Sequence, residues 1–220
     1  MRNTIMILCG LLLLGLSGCD LFSPEEEDPD PYTGGSVTNV QFHILSPTDV
    51  QLNWTEDYPD EDGFYVDRKL WNGAWEKKIL QVGANTTMAV DTTAELGKVY
   101  YYKVYAFKGN QESEEEQVQY NFYLPAPQNL DYDYSWSQPN RMRLFWQNQA
   151  VWADSIVVAR RLEGEQWTPH VAVLDGSATE YIDLDYNVSL TTSWGFTAYY
   201  QEHVSQQATL TMMPPKKEGK

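Results

Sequence analysis

Oxygen ligands are dense in one short stretch of the sequence, where residues 56–62 read Glu-Asp-Tyr-Pro-Asp-Glu-Asp. Calcium takes about six to eight oxygen ligands, and carboxylates supply many of them. Asp57, Asp60 and Asp62 are therefore the candidate calcium ligands. Their spacing does not match an EF-hand loop, and the later stretch 151–154 lacks the cluster. The pattern favours a solvated acidic loop over a metal site.

The other residues that could do chemistry do not assemble into a catalytic motif. His43, His170 and His203 fall on different predicted strands or strand edges, without the spacing of a metal pair. The sequence has no Gly-x-Ser-x-Gly turn, no phosphate-binding glycine loop and no His-Glu-x-x-His pair. Carboxylate pairs mean little in a chain with 31 Asp and Glu. We expect a protein that is not an enzyme and uses no cofactor.

Cys19 is the cysteine whose neighbouring residues indicate a chemical modification. Residues 5–16 form an apolar run after Arg2, too short to span a bilayer comfortably and typical of a signal peptide. The string Leu16-Ser-Gly-Cys19 follows and resembles the lipobox of bacterial lipoproteins, although an ordinary signal peptide with an incidental cysteine would also fit. The resemblance implies removal of residues 1–18 and acylation of Cys19. Cys9 leaves with the leader, so the mature chain can form no internal disulfide.

Residues 19–36 are predicted to be a flexible acidic linker. From Asp20 to Ser36 the chain has six carboxylates, three prolines and two glycines, which leave little to bury. An Asp directly after the lipidated cysteine resembles an inner-membrane retention signal of enterobacterial lipoproteins. Acidic residues at this place resemble a surface-export signal in some other Gram-negative groups. We expect a lipid-anchored protein of the cell envelope, with the membrane and the leaflet left open.

The sequence contains an internal repeat with a constant offset of 92 positions. Pro47 recurs as Pro139 and Ser113 as Ser205, so the two copies have equal length between these points. The other matched pairs are Trp54/Trp146, Asp62/Asp154, Arg68/Arg160, Leu70/Leu162, Trp75/Trp167, Thr87/Thr179, Asp91/Asp183 and Ala106/Ala198. A constant offset predicts two copies of one domain.

Each copy has the pattern of short β-strands. Residues 50–54 alternate apolar and polar side chains, as do residues 142–146 with one slip, and residues 100–106 and 192–198 are rich in aromatic or β-branched types. Gly and Asn turn signals fall between these runs. About seven short strands per copy without a cysteine pair predict two disulfide-free β-sandwiches, and hence an all-β fold.

The motifs of the first copy fall in a familiar order. Trp54 is followed by Gly-Phe-Tyr-Val-Asp-Arg at 63–68, Trp75, a Thr-x-x-x-Asp at 87–91 and Tyr-Tyr-Tyr-Lys-Val-Tyr-Ala at 100–106. This order resembles that of fibronectin type III domains, especially bacterial ones. The resemblance implies tandem immunoglobulin-like sandwiches at 37–124 and 125–213, joined by a stiff Pro-rich connector and followed by a tail at 214–220.

The second copy departs from the family pattern at one structural point. Thr192 stands where the corner tyrosine Tyr100 stands in the first copy, and Trp194 replaces Tyr102. The fold is expected to tolerate this change. The hydrogen bond of the tyrosine corner is not assured in the second copy.

The tryptophans divide into core candidates and surface candidates. The family topology implies that Trp54 and Trp146 face the cores, and that Trp75 and Trp167 pack on strand faces. The same topology implies that Trp71 and Trp152 face the joint between the domains.

Trp136 is expected at the free pole of the second copy, which is the end of that sandwich away from the first copy. It lies in the turn after that copy's first strand, and we expect it near Asp185 and Tyr186. Trp136 and Tyr186 are therefore the candidate binding residues.

A formal net charge of −16 argues against nucleic acid as a partner, because phosphate binding depends on Lys and Arg. The leading interpretation is a non-catalytic, membrane-anchored binding or spacer module with a protein or glycan partner. One alternative is a structural subunit of an envelope complex that joins its partner through a sheet edge. The other is carbohydrate binding through exposed aromatic side chains.

Overall fold

The computed structural model describes Tyr32 and residues 35–58, 60–134 and 140–214. Within these ranges the chain is all-β, as predicted, and no helix there could cross a membrane. The strands of domain 1 are β1 Val37–Ile44, β2 Val50–Glu56, β3 Gly63–Leu70, β4 Glu76–Gly83, β5 Met88–Asp91, β6 Lys98–Lys108, β7 Gln111–Glu112 and β8 Glu116–Phe122. Those of domain 2 are β9 Gln128–Tyr134, β10 Met142–Gln147, β11 Ser155–Leu162, β12 Thr168–Asp175, β13 Glu180–Asp183, β14 Thr192–Tyr200, β15 His203–Val204 and β16 Ala208–Met212.

Each domain is a sandwich of two antiparallel sheets. In domain 1 the small sheet has the order β1-β2-β5, and the large sheet has the order β4-β3-β6 with β7 and β8 both paired to β6. Domain 2 repeats this plan as β9-β10-β13 and β12-β11-β14, with β15 and β16 on β14. Phe64 lies opposite Ala106, and Ile156 lies opposite Ala198, so the register also repeats at the offset of 92. The predicted pair of tandem sandwiches is confirmed.

The two repeated tryptophans lie in the cores, as predicted. Trp54 and Trp146 are 5% and 4% exposed, and their rings pack on Phe64 and Phe196 at centroid distances of 5.6 and 4.9 Å. Strand alternation explains this placement, because every second residue of β2 and β10 faces the opposing sheet. The Trp146 indole donates to Asn148 at 3.0 Å, whereas the buried Trp54 indole nitrogen has no partner among the described residues.

A buried ion pair recurs in both domains beside the core. Arg68 donates to Asp91 at 2.7 Å, and Arg160 donates to Asp183 at the same distance. In domain 1 the Asp91 oxygen that binds Arg68 also accepts the Tyr102 hydroxyl at 2.9 Å. In domain 2 the other carboxylate oxygen of Asp183 accepts the Trp194 indole at 2.8 Å. The substitution of Trp for Tyr therefore preserves the hydrogen bond that keeps the buried aspartate satisfied.

The corner of domain 2 is built from a different residue. Tyr100 accepts the backbone N–H of Glu95 at 2.9 Å and packs on Tyr102 at 5.9 Å, whereas Thr192 has no ring to do either. Tyr186 supplies a ring instead and packs on Trp194 at 5.7 Å. Its own counterpart in domain 1 is the small residue Ala94, so large and small residues have exchanged positions.

This exchange corrects the expectation that Tyr186 is a binding residue. Tyr186 is 2% exposed, and its hydroxyl lies 3.4 Å from the Met212 sulfur. Burial against Trp194 and Tyr134 makes it a core residue that no partner can reach. The other candidate, Trp136, lies outside the described residues.

The last residues of the predicted flexible linker pack on domain 1. Tyr32 is 9% exposed, stacks on Tyr58 at 5.2 Å, and donates its hydroxyl to Asp60 at 2.5 Å. Its backbone N–H donates to Glu112, and the Ser36 N–H donates to Asp57. The prediction of a free linker over 19–36 is therefore wrong at its end, because the Tyr32 ring packs on Tyr58 of domain 1.

The connector between the domains is packed rather than exposed. Leu124 is 5% exposed, and a Cβ at Gly97 would lie 2.9 Å from the His203 ring, so glycine permits this close approach. The ring contacts of Trp71 and Trp152 stay within their own domains, with Tyr101 and Tyr200 respectively. Trp71 is 63% exposed, which contradicts its expected place in the joint.

Candidate functional site

The outer face of the large sheet in domain 1 concentrates aromatic rings and lysines. Successive residues of β3 and β6 point to opposite sides of the sheet, so the residues between the core positions face outward. We call the outward residues of the large sheet and its adjoining turn the aromatic face. Its aromatic and cationic members are Tyr65, Lys69, Trp71, Trp75, Lys78, Tyr101, Lys103, Tyr105 and Phe107.

One end of the aromatic face is closed by its own contacts. Tyr65 stacks on Phe107 at 4.2 Å, and the Lys78 ammonium lies 4.1 Å from the centroid of the Tyr65 ring. Tyr105 donates its hydroxyl to the buried Asp67 at 2.9 Å. Burial, followed by the bond to Asp67, raises the pKa of Tyr105 well above its ordinary value. These residues rigidify the sheet and leave little ring surface for a partner.

The other end of the aromatic face remains open, and we call it the open end. Trp71 is the most exposed of its rings, and its centroid lies 6.5 Å from that of Tyr101 at an interplanar angle of 25°. The Lys69 ammonium lies over both Trp75 and Tyr101, at 4.9 and 5.1 Å. Lysine stems that lie along rings cover apolar surface while their ammonium groups stay near water.

Amide side chains of β8 border the open end. Tyr101 lies opposite Gln119 in the sheet, and Val99 lies opposite Asn121. Gln119 accepts the Tyr101 hydroxyl at 2.9 Å and donates to Asn121 at 3.1 Å. Both amides are exposed, so each has further hydrogen-bonding capacity toward solvent. The open end thus combines ring faces with a row of neutral hydrogen-bond donors and acceptors. Its members are Lys69, Trp71, Trp75, Tyr101, Gln119 and Asn121.

Domain 2 has the same sheet without this surface. Ser193, Gly195 and Thr197 stand at the positions of Tyr101, Lys103 and Tyr105. Further equivalents are Val157 for Tyr65, Glu163 for Trp71 and Thr211 for Gln119. Part of the surface persists, since Tyr199 stands at the position of Phe107. The Arg161 guanidinium also lies 4.8 Å from the Trp167 ring, much as the Lys69 ammonium lies 4.9 Å from the Trp75 ring. The fold therefore does not require the aromatic rings that domain 1 presents.

The acidic stretch 56–62 makes separate hydrogen bonds rather than a common ligand sphere. Asp57, Asp60 and Asp62 each bind protein donors, which are Ser36 for the first, Tyr32 and Lys108 for the second, and Gly109 for the third. Across the described ranges, no three His, Asp or Glu side chains are grouped in a way that could hold a metal. The three carboxylates thus have separate protein partners, and we do not propose a calcium site on them.

The remaining candidates from the sequence are dispersed. His43 and His170 are exposed on β1 and β12, and His203 lies half-buried at the joint. Cys19 lies outside the described residues. A shallow groove of 220 Å³ lies between the starts of β1 and β8, lined by residues 35–38, Tyr58 and residues 114–116.

Sequence reasoning missed most of the open end. It treated Trp75 as a packing residue, placed Trp71 at the joint and did not single out Tyr101, Gln119 or Asn121. The two copies could have been compared at their outward positions, where Ser193 stands at the position of Tyr101. Core positions that differ between the copies remain apolar or are compensated by another ring, whereas the exposed Trp71 is replaced by the charged Glu163. Such a change marks a surface that the fold leaves free to vary.

The chain is similar in structure to tandem fibronectin type III segments. The two-domain segment of chicken tenascin is 15% identical, with 80% of this chain and 98% of that chain covered and a TM-score of 0.41. The FN1–FN3 domains of chicken CNTN1 are 13% identical, with 80% and 64% covered and a TM-score of 0.36. No family model and no curated protein matches the sequence.

Proposed function

We propose that the protein is a non-catalytic binding module of the bacterial cell envelope, held to a membrane by lipid on Cys19. Domain 1 presents the open end of its aromatic face to a partner, and domain 2 serves as a structural spacer. The observation that carries this proposal is the exposed Trp71 beside Tyr101, on a sheet whose twin in domain 2 has Glu163 and Ser193 at these positions.

Geometry also bears on the alternative of a structural subunit joined through a sheet edge. Four outer strands carry a non-glycine residue with positive φ: Asn39 in β1, Lys78 in β4, Asn129 in β9 and His170 in β12. Each lies at a break in the strand register. Such bulges interrupt the ladder that an added strand would extend. A face of the sheet is therefore a better binding surface than these edges.

The anchor is tested by metabolic labelling with palmitate and by membrane fractionation. Cys19→Ala should abolish the label and leave the protein uncleaved or soluble, because the acyl acceptor is gone. Cys9→Ala is the matched control and should keep both the label and the membrane location. A Cys19→Ala protein that is still labelled and membrane-bound would refute lipidation at Cys19.

The binding face is tested by sedimentation of the mature chain, produced without lipid, with isolated envelope of the source bacterium. Trp71→Ala should weaken binding by about tenfold or more, because truncation of an exposed aromatic anchor often costs about 2 kcal/mol. Trp167→Ala is the control, because Trp167 of domain 2 stands at the position of Trp75 in domain 1. This variant should bind like the unmodified chain. Equal losses in both variants would place the binding surface elsewhere.

A further inference from the structure

On the basis of the proposed function, we infer that the partner of the open end is a neutral polysaccharide. One sugar ring lies against Trp71, its neighbour along the chain lies toward Tyr101, and hydroxyl groups bond to Gln119 and Asn121.

The rings of the open end provide the apolar half of this surface. A pyranose presents C–H groups on one face, and these pack against the electron-rich face of an aromatic ring. Trp71 is 63% exposed and lies beside Tyr101 with the two rings tilted by only 25°. The exposed Trp71 ring thus supplies the main stacking surface for one sugar unit, with the Tyr101 ring beside it.

The amides provide the polar half. Sugar hydroxyls both donate and accept hydrogen bonds, and so do the side chains of Gln119 and Asn121. Both are exposed and follow the same outward row of β8. Amide groups bind hydroxyls without the cost of desolvating an ion.

Charge favours a neutral chain over an acidic one. The protein carries a formal charge of −16, which repels an anionic polymer. The lysines nearest the open end are already engaged, since Lys69 lies over two rings and Lys103 pairs with Glu115. Against a formal charge of −16, the ammonium of Lys69 is a small attraction for a uronate or a phosphate.

The width of the open end favours a chain over a protein surface. Trp71 directly follows the end of β3, and its N–H donates to Val99 of the neighbouring β6 at 2.9 Å. Val99 in turn lies opposite Asn121 of β8. Strands are spaced by about 4.8 Å, so this row is about 10 Å wide. A stable protein interface needs about 800 Å² from each partner. One extended polysaccharide strand fits the narrower surface.

The test treats isolated envelope in two ways before sedimentation with the mature chain. Mild periodate oxidises the vicinal diols of sugars, and a broad-specificity protease removes proteins. Binding should fall by about tenfold or more after periodate and should survive the protease. A parallel electrophoresis in gels containing xylan, glucomannan, dextran or polygalacturonate should show retardation by at least one neutral polymer. That retardation should vanish in Trp71→Ala and persist in Trp167→Ala.

The outcomes separate this inference from the proposed function. Loss of binding after protease but not periodate would overturn the polysaccharide, while a Trp71→Ala defect in the same assay would keep the binding face. Retardation by polygalacturonate alone would overturn the neutral ligand. An unaltered Trp71→Ala variant in every arm, with unchanged thermal unfolding as proof of folding, would overturn both proposals.

Discussion

The outer faces of the two large sheets carry different exposed rings, whereas the central tryptophan and ion pair of the two cores are the same. Inside the sandwiches, Trp54 and Trp146 hold the same place, and the ion pairs Arg68–Asp91 and Arg160–Asp183 have the same length. Outside, domain 1 has the rings of Trp71, Tyr101 and Tyr105 where domain 2 has Glu163, Ser193 and Thr197. Because the two domains share one fold, they can be compared position by position. Positions that match between them serve folding, and outward positions that differ are free to serve binding.

The largest expected effect is in the cores, where the domains should respond alike. Trp54→Ala and Trp146→Ala should each destabilise their own domain by about 3–5 kcal/mol, because a buried ring is replaced by a cavity. Chemical denaturation of the full mature chain, followed by amide-proton NMR to assign each transition, checks this. Loss of both domains from either substitution would show that the copies share one folding unit.

The independence of the domains is tested with the same spectra. Fragments 31–124 and 125–213 should each fold, since each contains a full set of strands. The first fragment begins before Tyr32 so that its contact with Tyr58 is retained. A fragment that stays unfolded while the joined chain folds would contradict the predicted boundary at 124/125.

The buried ion pairs should give the next largest effect, again symmetric. Asp91→Ala and Asp183→Ala should each cost about 3 kcal/mol or more, because each removes the buried carboxylate that accepts both a guanidinium and a buried aromatic donor, Tyr102 or Trp194. Thermal unfolding of the two variants measures the cost. A change near zero in only one domain would show that the scaffold is less symmetric than the distances indicate.

The corner exchange predicts a smaller and asymmetric effect. Tyr100→Phe should cost about 1 kcal/mol, because the Glu95 N–H loses its acceptor. Tyr186→Phe should change the free energy of unfolding much less, since its hydroxyl has only a sulfur atom at 3.4 Å. Denaturant midpoints compare the two. The reverse order would contradict the view that Tyr186 contributes ring volume rather than a hydrogen bond.

The Tyr32 contact predicts a stability that depends on pH in the alkaline range. The hydrogen bond to Asp60, followed by burial, raises the pKa of Tyr32 to about 12. Because the unfolded value is about 10, the contribution of Tyr32 to stability is complete below pH of about 10 and lost as the pH rises through about 12. The phenolate absorbance difference between the unmodified chain and Tyr32→Phe should titrate near pH 12. A midpoint near the ordinary value would mean that Tyr32 is free.

The sequence contained enough to predict the fold, because strand alternation and the offset of 92 constrain the cores independently. It did not reveal the exchange of Ala94 and Tyr100 for Tyr186 and Thr192, since the partners are distant in the chain and only packing brings them together. It also could not assign a side to each tyrosine in 100–106, where inward and outward positions are both aromatic.

The sequence likewise gave no reason to separate Tyr32 from its linker. The composition around it is that of a tether, and composition describes an average rather than one residue. The ring docks because Tyr58 and Asp60 offer a stacking surface and an acceptor on the same loop. The positions of Tyr58 and Asp60 follow from the loop between β2 and β3, and the sequence alone does not determine the shape of that loop.

We expect domain 1 to bind through a surface that its fold does not need. The most direct test replaces Trp71 with Glu and Tyr101 with Ser together, the residues that domain 2 has at the same positions. Envelope sedimentation and thermal unfolding are measured on the same protein. We predict that binding falls by about tenfold or more while the unfolding of domain 1 changes by less than about 1 kcal/mol. Undiminished binding by this variant would contradict the account.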